Sequence, residues 1–144
     1  MRLYTKAPPE KTWAWVARYP YETSLVVVCG SQTLALVTIY TAGLPIGNHT
    51  VPAWFTLGVA AMFAFAAVFL AAAICIGTAG IVATALRVAL VALLCLAGMV
   101  LPNGVTGPEG VLLAQLIPYL ILTATRACYV EKVWKTRVAG EDQA

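Results

Sequence analysis

Residues 82–102 read VATALRVALVALLCLAGMVLP, an apolar run that contains one charged residue, Arg87. About 20 apolar residues is the length that a helix needs to cross a hydrocarbon core of about 30 Å. A helix rises only about 22 Å from Arg87 to Leu101, so the membrane span must begin before the arginine, near Gly80 or Ile81. Arg87 is then expected about one to two helical turns inside the membrane boundary.

The composition of the whole chain supports a membrane environment. Of its 144 residues, 61% are hydrophobic and only 10% are charged, and the mean hydropathy is +0.86. A soluble domain carries roughly a quarter charged residues, so these charges are too few to cover a surface that faces water. We therefore predict one integral membrane domain whose main partner is the lipid bilayer.

Four apolar runs divide the chain, at residues 23–44, 53–76, 81–101 and 110–129. They lack the strict alternation of strands, and glycine and proline punctuate the joints between them. The joint GTAG is so short that the second and third runs should form a tight antiparallel hairpin. The sequence predicts an all-α integral membrane protein, with four transmembrane helices arranged as two antiparallel hairpins.

The distribution of basic residues predicts the orientation. With four spans, the N-terminus, the GTAG joint and the C-terminus lie on one side of the membrane. All nine basic residues fall at or near that side, and the joints at 43–52 and 102–109 contain none. The positive-inside rule then places both termini in the cytoplasm, in a multi-pass protein of the cytoplasmic (inner) membrane. The basic residues are Arg2, Lys6, Lys11, Arg18, Arg87, Arg126, Lys132, Lys135 and Arg137.

This topology predicts three segments. Residues 1–22 form a cytoplasmic and interfacial N-terminal segment, residues 23–129 a four-helix transmembrane bundle, and residues 130–144 a basic cytoplasmic tail. Aromatic and basic side chains share the headgroup region of a bilayer, and both types cluster at the ends of the bundle. The predicted interfacial anchors are Trp13, Trp15, Arg18, Tyr19 and Trp134.

Polar side chains within the spans are few, and two interpretations of each stay open. Arg87 is either a topology anchor whose long side chain reaches phosphates or water, or a charge that faces the bundle interior. Gln32 and Gln115 have similar expected depths and form either interhelical hydrogen bonds or the lining of a polar path. These three residues are the candidate intramembrane polar positions.

Alanines recur at helical spacing along the second span. Small faces of this kind let helices approach closely in lipid, where the hydrophobic effect gives no help. The pattern predicts internal packing of the bundle, a homo-oligomer, or both. The candidate helix-packing face consists of Ala60, Ala64, Ala67 and Ala71.

The sequence contains none of the usual signatures of catalysis. Nucleotide-binding, metalloprotease and serine-hydrolase motifs are missing, and the four cysteines form no CxxC pair. We therefore expect no enzymatic activity, no cofactor and no metal site. The net charge of +3 follows from topology and gives no reason to expect a nucleic-acid partner.

The N-terminal region ending in YPYET, the four compact spans and the basic ending RACYVEKVWKTR resemble a known layout. It is that of small four-span membrane proteins of actinobacterial phages, some of them holin-like, and the resemblance covers most of the chain. It implies self-association in the cytoplasmic membrane and a timed lesion that releases or activates a cell-wall hydrolase. No functional residue is carried over, and no span is clearly amphipathic, which argues against a large water-filled pore.

Two other functions fit the same sequence. The chain is alternatively a non-catalytic accessory subunit that stabilises a larger membrane complex, with a membrane-protein partner in place of further copies of itself. The third hypothesis is a small channel or transporter whose path includes Arg87, Gln32 and Gln115. Transporters usually need an ionisable group near the midplane of the membrane, and this requirement ranks that hypothesis third.

Overall fold

A computed structural model describes residues 19–43, 52–101 and 108–141, and the elements that these residues form are four α-helices. This confirms the predicted all-α class. The helices are α1 (Pro20–Thr41), α2 (Ala53–Ile76), α3 (Ala79–Val100) and α4 (Pro108–Glu141).

Helices α1, α2 and α3 are long and apolar enough to cross a membrane. They contain 22, 24 and 22 residues, which corresponds to about 33–36 Å of helix. Helix α1 begins three residues before the predicted span because Pro20 occupies its first turn, where a missing backbone N–H costs nothing. The membrane class predicted from composition is supported.

The connection between α2 and α3 consists of Gly77 and Thr78. Gly77 ends α2 in the left-handed conformation, with φ at +72°, and its N–H donates to the carbonyl of Ala73. Glycine adopts this conformation without the steric penalty of a Cβ atom. So short a connection makes α2 and α3 antiparallel neighbours, as the GTAG joint predicts.

Consecutive helices form the main packing interfaces: α1 with α2, α2 with α3, and α3 with α4. Helix α3 is covered on two sides, and 50% of its most apolar stretch is buried, against 17% for α1. Helix α3 is therefore the central element of the bundle, whereas most of α1 faces outward.

Small side chains allow this central position. Ala85, Ala89 and Ala92 of α3 are completely buried, so neighbouring helices approach its backbone closely. Helix α2 contributes larger groups, of which Phe63 and Leu70 are completely buried. Both helices therefore contribute to the core, and α3 supplies the three completely buried alanines.

Helix α4 continues well beyond the predicted end of the fourth span. It has 34 residues, or about 51 Å of helix. A Cβ atom at Gly80 would meet ring atoms of Trp134 at 3.4 Å, so the indole packs directly on the first turn of α3. The C-terminal segment that follows residue 129 therefore starts as a continuation of α4 that packs against α3.

The variant Ala89→Leu tests the close packing of α3. Adding three methylene-sized groups at a completely buried site should lower the free energy of unfolding by about 1–3 kcal/mol. The measurement is unfolding by sodium dodecyl sulfate in mixed micelles, followed by circular dichroism. Val91→Leu, at a 48% exposed position of the same helix, is the control and should change stability by less than about 0.5 kcal/mol. Equal effects of the two changes would contradict the central position of α3.

Candidate functional site

Ionisable side chains from three helices gather near one end of the bundle. They form two groups of ion pairs, one between α1 and α4 and one between α3 and α4. We call this set the charged layer. It consists of Glu22, Arg87, Arg126, Glu131 and Lys135.

The pair between α1 and α4 joins a buried carboxylate to a partly buried guanidinium. Nε of Arg126 donates to Oε1 of Glu22 at 2.7 Å, and the Glu22 side chain is 0% exposed. The Arg126 guanidinium also lies 5.6 Å from the centre of the Tyr129 ring. A buried carboxylate without a cation costs several kcal/mol, so the contact with Arg126 stabilises Glu22 at this buried position.

A hydrogen bond joins the same two helices beside this pair. The hydroxyl oxygens of Tyr21 and Thr123 lie 2.7 Å apart. Because the Thr123 hydroxyl donates its single proton to the carbonyl of Tyr119, the Tyr21 hydroxyl is the donor to Thr123. Two polar contacts therefore connect the start of α1 to the middle of α4.

Gln32 and Gln115 line one cavity of about 190 Å³ between α1, α3 and α4. Together with the Glu22–Arg126 pair, this shows that α1 and α4 run antiparallel. Pro118 lies inside α4 close to this cavity and removes the backbone donor for the carbonyl of Ala114. The structure thus brings the two predicted glutamines to the same place.

Arg87 lies elsewhere, on the outer surface of the α3–α4 interface. Its guanidinium donates to Oε2 of Glu131, and 58% of its side chain is exposed. Lys135 Nζ lies 2.9 Å from Oε1 of the same carboxylate, one helical turn further along α4. The three predicted polar positions therefore do not line one path, because Arg87 is not among the residues that surround the glutamine cavity.

The two cations keep the Glu131 carboxylate ionised. Hydrogen bonds from Lys135 and Arg87 lower the pKa of Glu131 below its ordinary value. A depressed folded-state pKa means that the interaction is complete above the ordinary carboxyl pKa and is lost as the pH falls through the folded value. The α3–α4 group of the charged layer is therefore intact at neutral pH.

The pairing of Glu22 with Arg126 is not among the contacts predicted above. Glu22 falls in the predicted N-terminal segment, and Arg126 is one of the basic residues that predict the orientation. A signal was present: these residues are opposite charges, each within about one turn of the same end of the first and fourth predicted spans. Antiparallel packing of those spans brings such charges together.

The candidate helix-packing face on α2 lies along the edge of the buried surface. Ala60 is only 3% exposed, and the other three alanines are partly buried. Each of the four alanines comes directly after a buried residue of α2. Those buried residues are Val59, Phe63, Ala66 and Leu70.

The predicted interfacial anchors have different positions. Trp13, Trp15 and Arg18 lie outside the described residues. Tyr19 is 1% exposed and belongs to the core, whereas Trp134 is 45% exposed and packs on α3.

Comparisons with protein-family models, with curated proteins and with solved structures find no significant match to this chain. Within the described ranges, no group of three or more His, Cys, Asp or Glu side chains is placed to hold a metal ion. The four cysteines are free thiols.

A double-mutant cycle tests the buried pair. Arg126→Met removes this cation from beside the buried Glu22 carboxylate and should lower the free energy of unfolding by about 3–5 kcal/mol. Adding Glu22→Gln should restore much of that loss, so the two effects will not add. Unfolding in mixed micelles is the measurement, and Lys132→Met, at an exposed cation on the same helix, is the control. Additive effects of the two substitutions would show that the pair does not couple α1 to α4.

Proposed function

We propose that the chain is a four-span protein of the cytoplasmic membrane, with both termini inside, that self-associates into a holin-like assembly and permeabilises the membrane. In this proposal residues 110–129 of α4 form the fourth span. The observation that carries it is the outward face of α1, the least buried of the three membrane-length helices.

That face is a continuous stripe of small hydroxyl and aliphatic residues. Its members are spaced alternately by three and four residues, so they lie on one side of the helix. All of them are exposed, with Val27 at 67% and Leu34 at 71%. We call this stripe the α1 seam; it consists of Ser24, Val27, Ser31, Leu34 and Thr38.

The hydroxyl groups of the seam are compatible with lipid and with close helix packing. Ser24, Ser31 and Thr38 each donate to a carbonyl of their own helix, at 2.7–2.8 Å. Their spacing of seven residues is the repeat of left-handed helix pairs, and small side chains let backbones approach. A second copy of α1 therefore fits the seam, which supports self-association.

The packed interior of the bundle favours a membrane lesion that forms between copies of the chain. Interhelical polar contacts lie in the charged layer and beside it at Tyr21 and Thr123, whereas the two glutamines line a separate cavity. The space between α3 and its neighbouring helices contains completely buried alanine and leucine side chains of α3. A path for solutes is thus better placed between protomers than through one bundle.

Reporter fusions test the proposed topology. Green fluorescent protein fused after residue 144 should fluoresce, because it folds in the cytoplasm, and alkaline phosphatase at the same site should be inactive. Alkaline phosphatase fused after residue 105, in the joint that lacks basic residues, should be active. Active phosphatase at the C-terminus would contradict a four-span arrangement with both termini inside.

Inducible expression in a bacterial host tests the holin-like activity. We expect normal growth followed by abrupt loss of membrane potential at a reproducible time. Ser31→Leu should delay or abolish that loss, because the larger side chain blocks close approach at the seam. The matched control is Ala72→Leu, which introduces the same side chain on an exposed face of α2 that already carries Phe65 and Val68.

Oligomer size in detergent, measured by cross-linking, separates the outcomes of this experiment. The proposal expects Ser31→Leu to lose two properties, the oligomer and the depolarisation of the membrane. It expects Ala72→Leu to keep both. Normal growth of cells that contain inserted, monomeric wild-type protein would overturn it. That result would favour an accessory subunit whose partner helix occupies the seam.

A further inference from the structure

A groove of about 610 Å³ opens on the surface beside Arg87, where parts of α2, α3 and α4 meet. It shares no residue with the glutamine cavity. We call it the Arg87 groove; its lining includes Phe69, Gly80, Thr84, Arg87, Glu131 and Trp134.

The charge at the groove favours an anion. In the lining the charges of Arg87 and Glu131 offset each other, and Lys135, which lies outside the lining but pairs with the same carboxylate, gives the cluster one net positive charge. The Arg87 side chain is 58% exposed, and a guanidinium has five N–H donors in a planar fork that matches phosphate oxygens. The Glu131 carboxylate also fixes the direction of this fork.

An apolar surface leads out of the groove along α2. Phe69 lines the groove, and the Phe65 ring lies 5.6 Å from it, centre to centre, one helical turn further from the α2–α3 turn. Phe65 is 60% exposed. The direction from Phe69 to Phe65 is toward the middle of a membrane-length helix, where an acyl chain lies.

The wall of the groove nearest the α2–α3 turn is suited to a lipid headgroup. Trp134 packs on Gly80, and the Thr84 hydroxyl donates to the Gly80 carbonyl, so both side chains are held in place. Indole rings are typical of the membrane–water interface. The groove therefore has an interfacial wall at one end and a hydrocarbon-facing wall at the other.

We propose that the Arg87 groove binds one anionic glycerophospholipid, with its phosphate on Arg87 and one acyl chain along Phe69 and Phe65. The occupant is a lipid because the apolar surface continues from the charged end toward the middle of α2. This site is independent of self-association, since the α1 seam contributes nothing to its lining.

Native mass spectrometry of the purified full chain in a nonionic detergent tests the proposal. The probes are dioleoyl phosphatidylglycerol and dioleoyl phosphatidylcholine, which have the same acyl chains. The anionic lipid should bind at least about fivefold more tightly, and Arg87→Gln should remove that difference. Lys132→Gln, which removes an exposed cation outside the groove lining, is the matched control and should keep the preference.

Thr84→Trp tests the groove separately from its charge. Thr84 is exposed, so the indole can enter the groove without disturbing the core, and binding of the anionic lipid should fall while the midpoint of thermal unfolding stays unchanged. Equal binding of the two lipids by the wild type would overturn the proposal. Equal losses in Arg87→Gln and Lys132→Gln would do the same, because they would assign the preference to diffuse positive charge.

Discussion

The buried pair of Glu22 and Arg126 is the constraint on which the closure of the bundle depends. Consecutive helices pack mainly through apolar surfaces, to which α3 and α4 add the exposed pair of Arg87 and Glu131, whereas the buried Glu22 carboxylate is restricted to a position beside a cation. The Glu22–Arg126 pair fixes how α1 lies along α4. The hydrogen bond between Tyr21 and Thr123 and the shared cavity of the two glutamines are consistent with the same antiparallel register.

The helices of this fold depend on residues that are close in the sequence, whereas the contacts between helices depend on residues that are far apart in it. Run length, hydropathy and the Gly77 turn depend on neighbouring residues, so the helices and the α2–α3 hairpin could be predicted from the sequence. The partner of Arg87 could not, because Glu131 lies 44 residues away and reaches it only after α3 and α4 pack. The alanines of α2 show a similar limit: their spacing indicates a face, but the angle of that face depends on Phe63 and Leu70, which occupy the core.

The helices differ in their packing and in the contacts that they supply. Helix α3 is packed on two sides and supplies the small residues that make the bundle compact. Helix α1 touches the rest mainly through α2 and through its first turn, so most of its length is available to another membrane helix. Helix α4 supplies cations to both groups of the charged layer and extends past them. The surfaces proposed for assembly and for lipid binding therefore share no residue, because the α1 seam contributes nothing to the Arg87 groove.

The separation of 104 residues between Glu22 and Arg126 has a consequence for biosynthesis. A ribosome adds about 5–20 residues per second, so α1 is made several seconds or more before Arg126 exists. During that interval Glu22 lacks its contact with Arg126. The contact that joins α1 to α4 therefore forms only near the end of translation. In a chain that stops before residue 126, α1 lacks this contact.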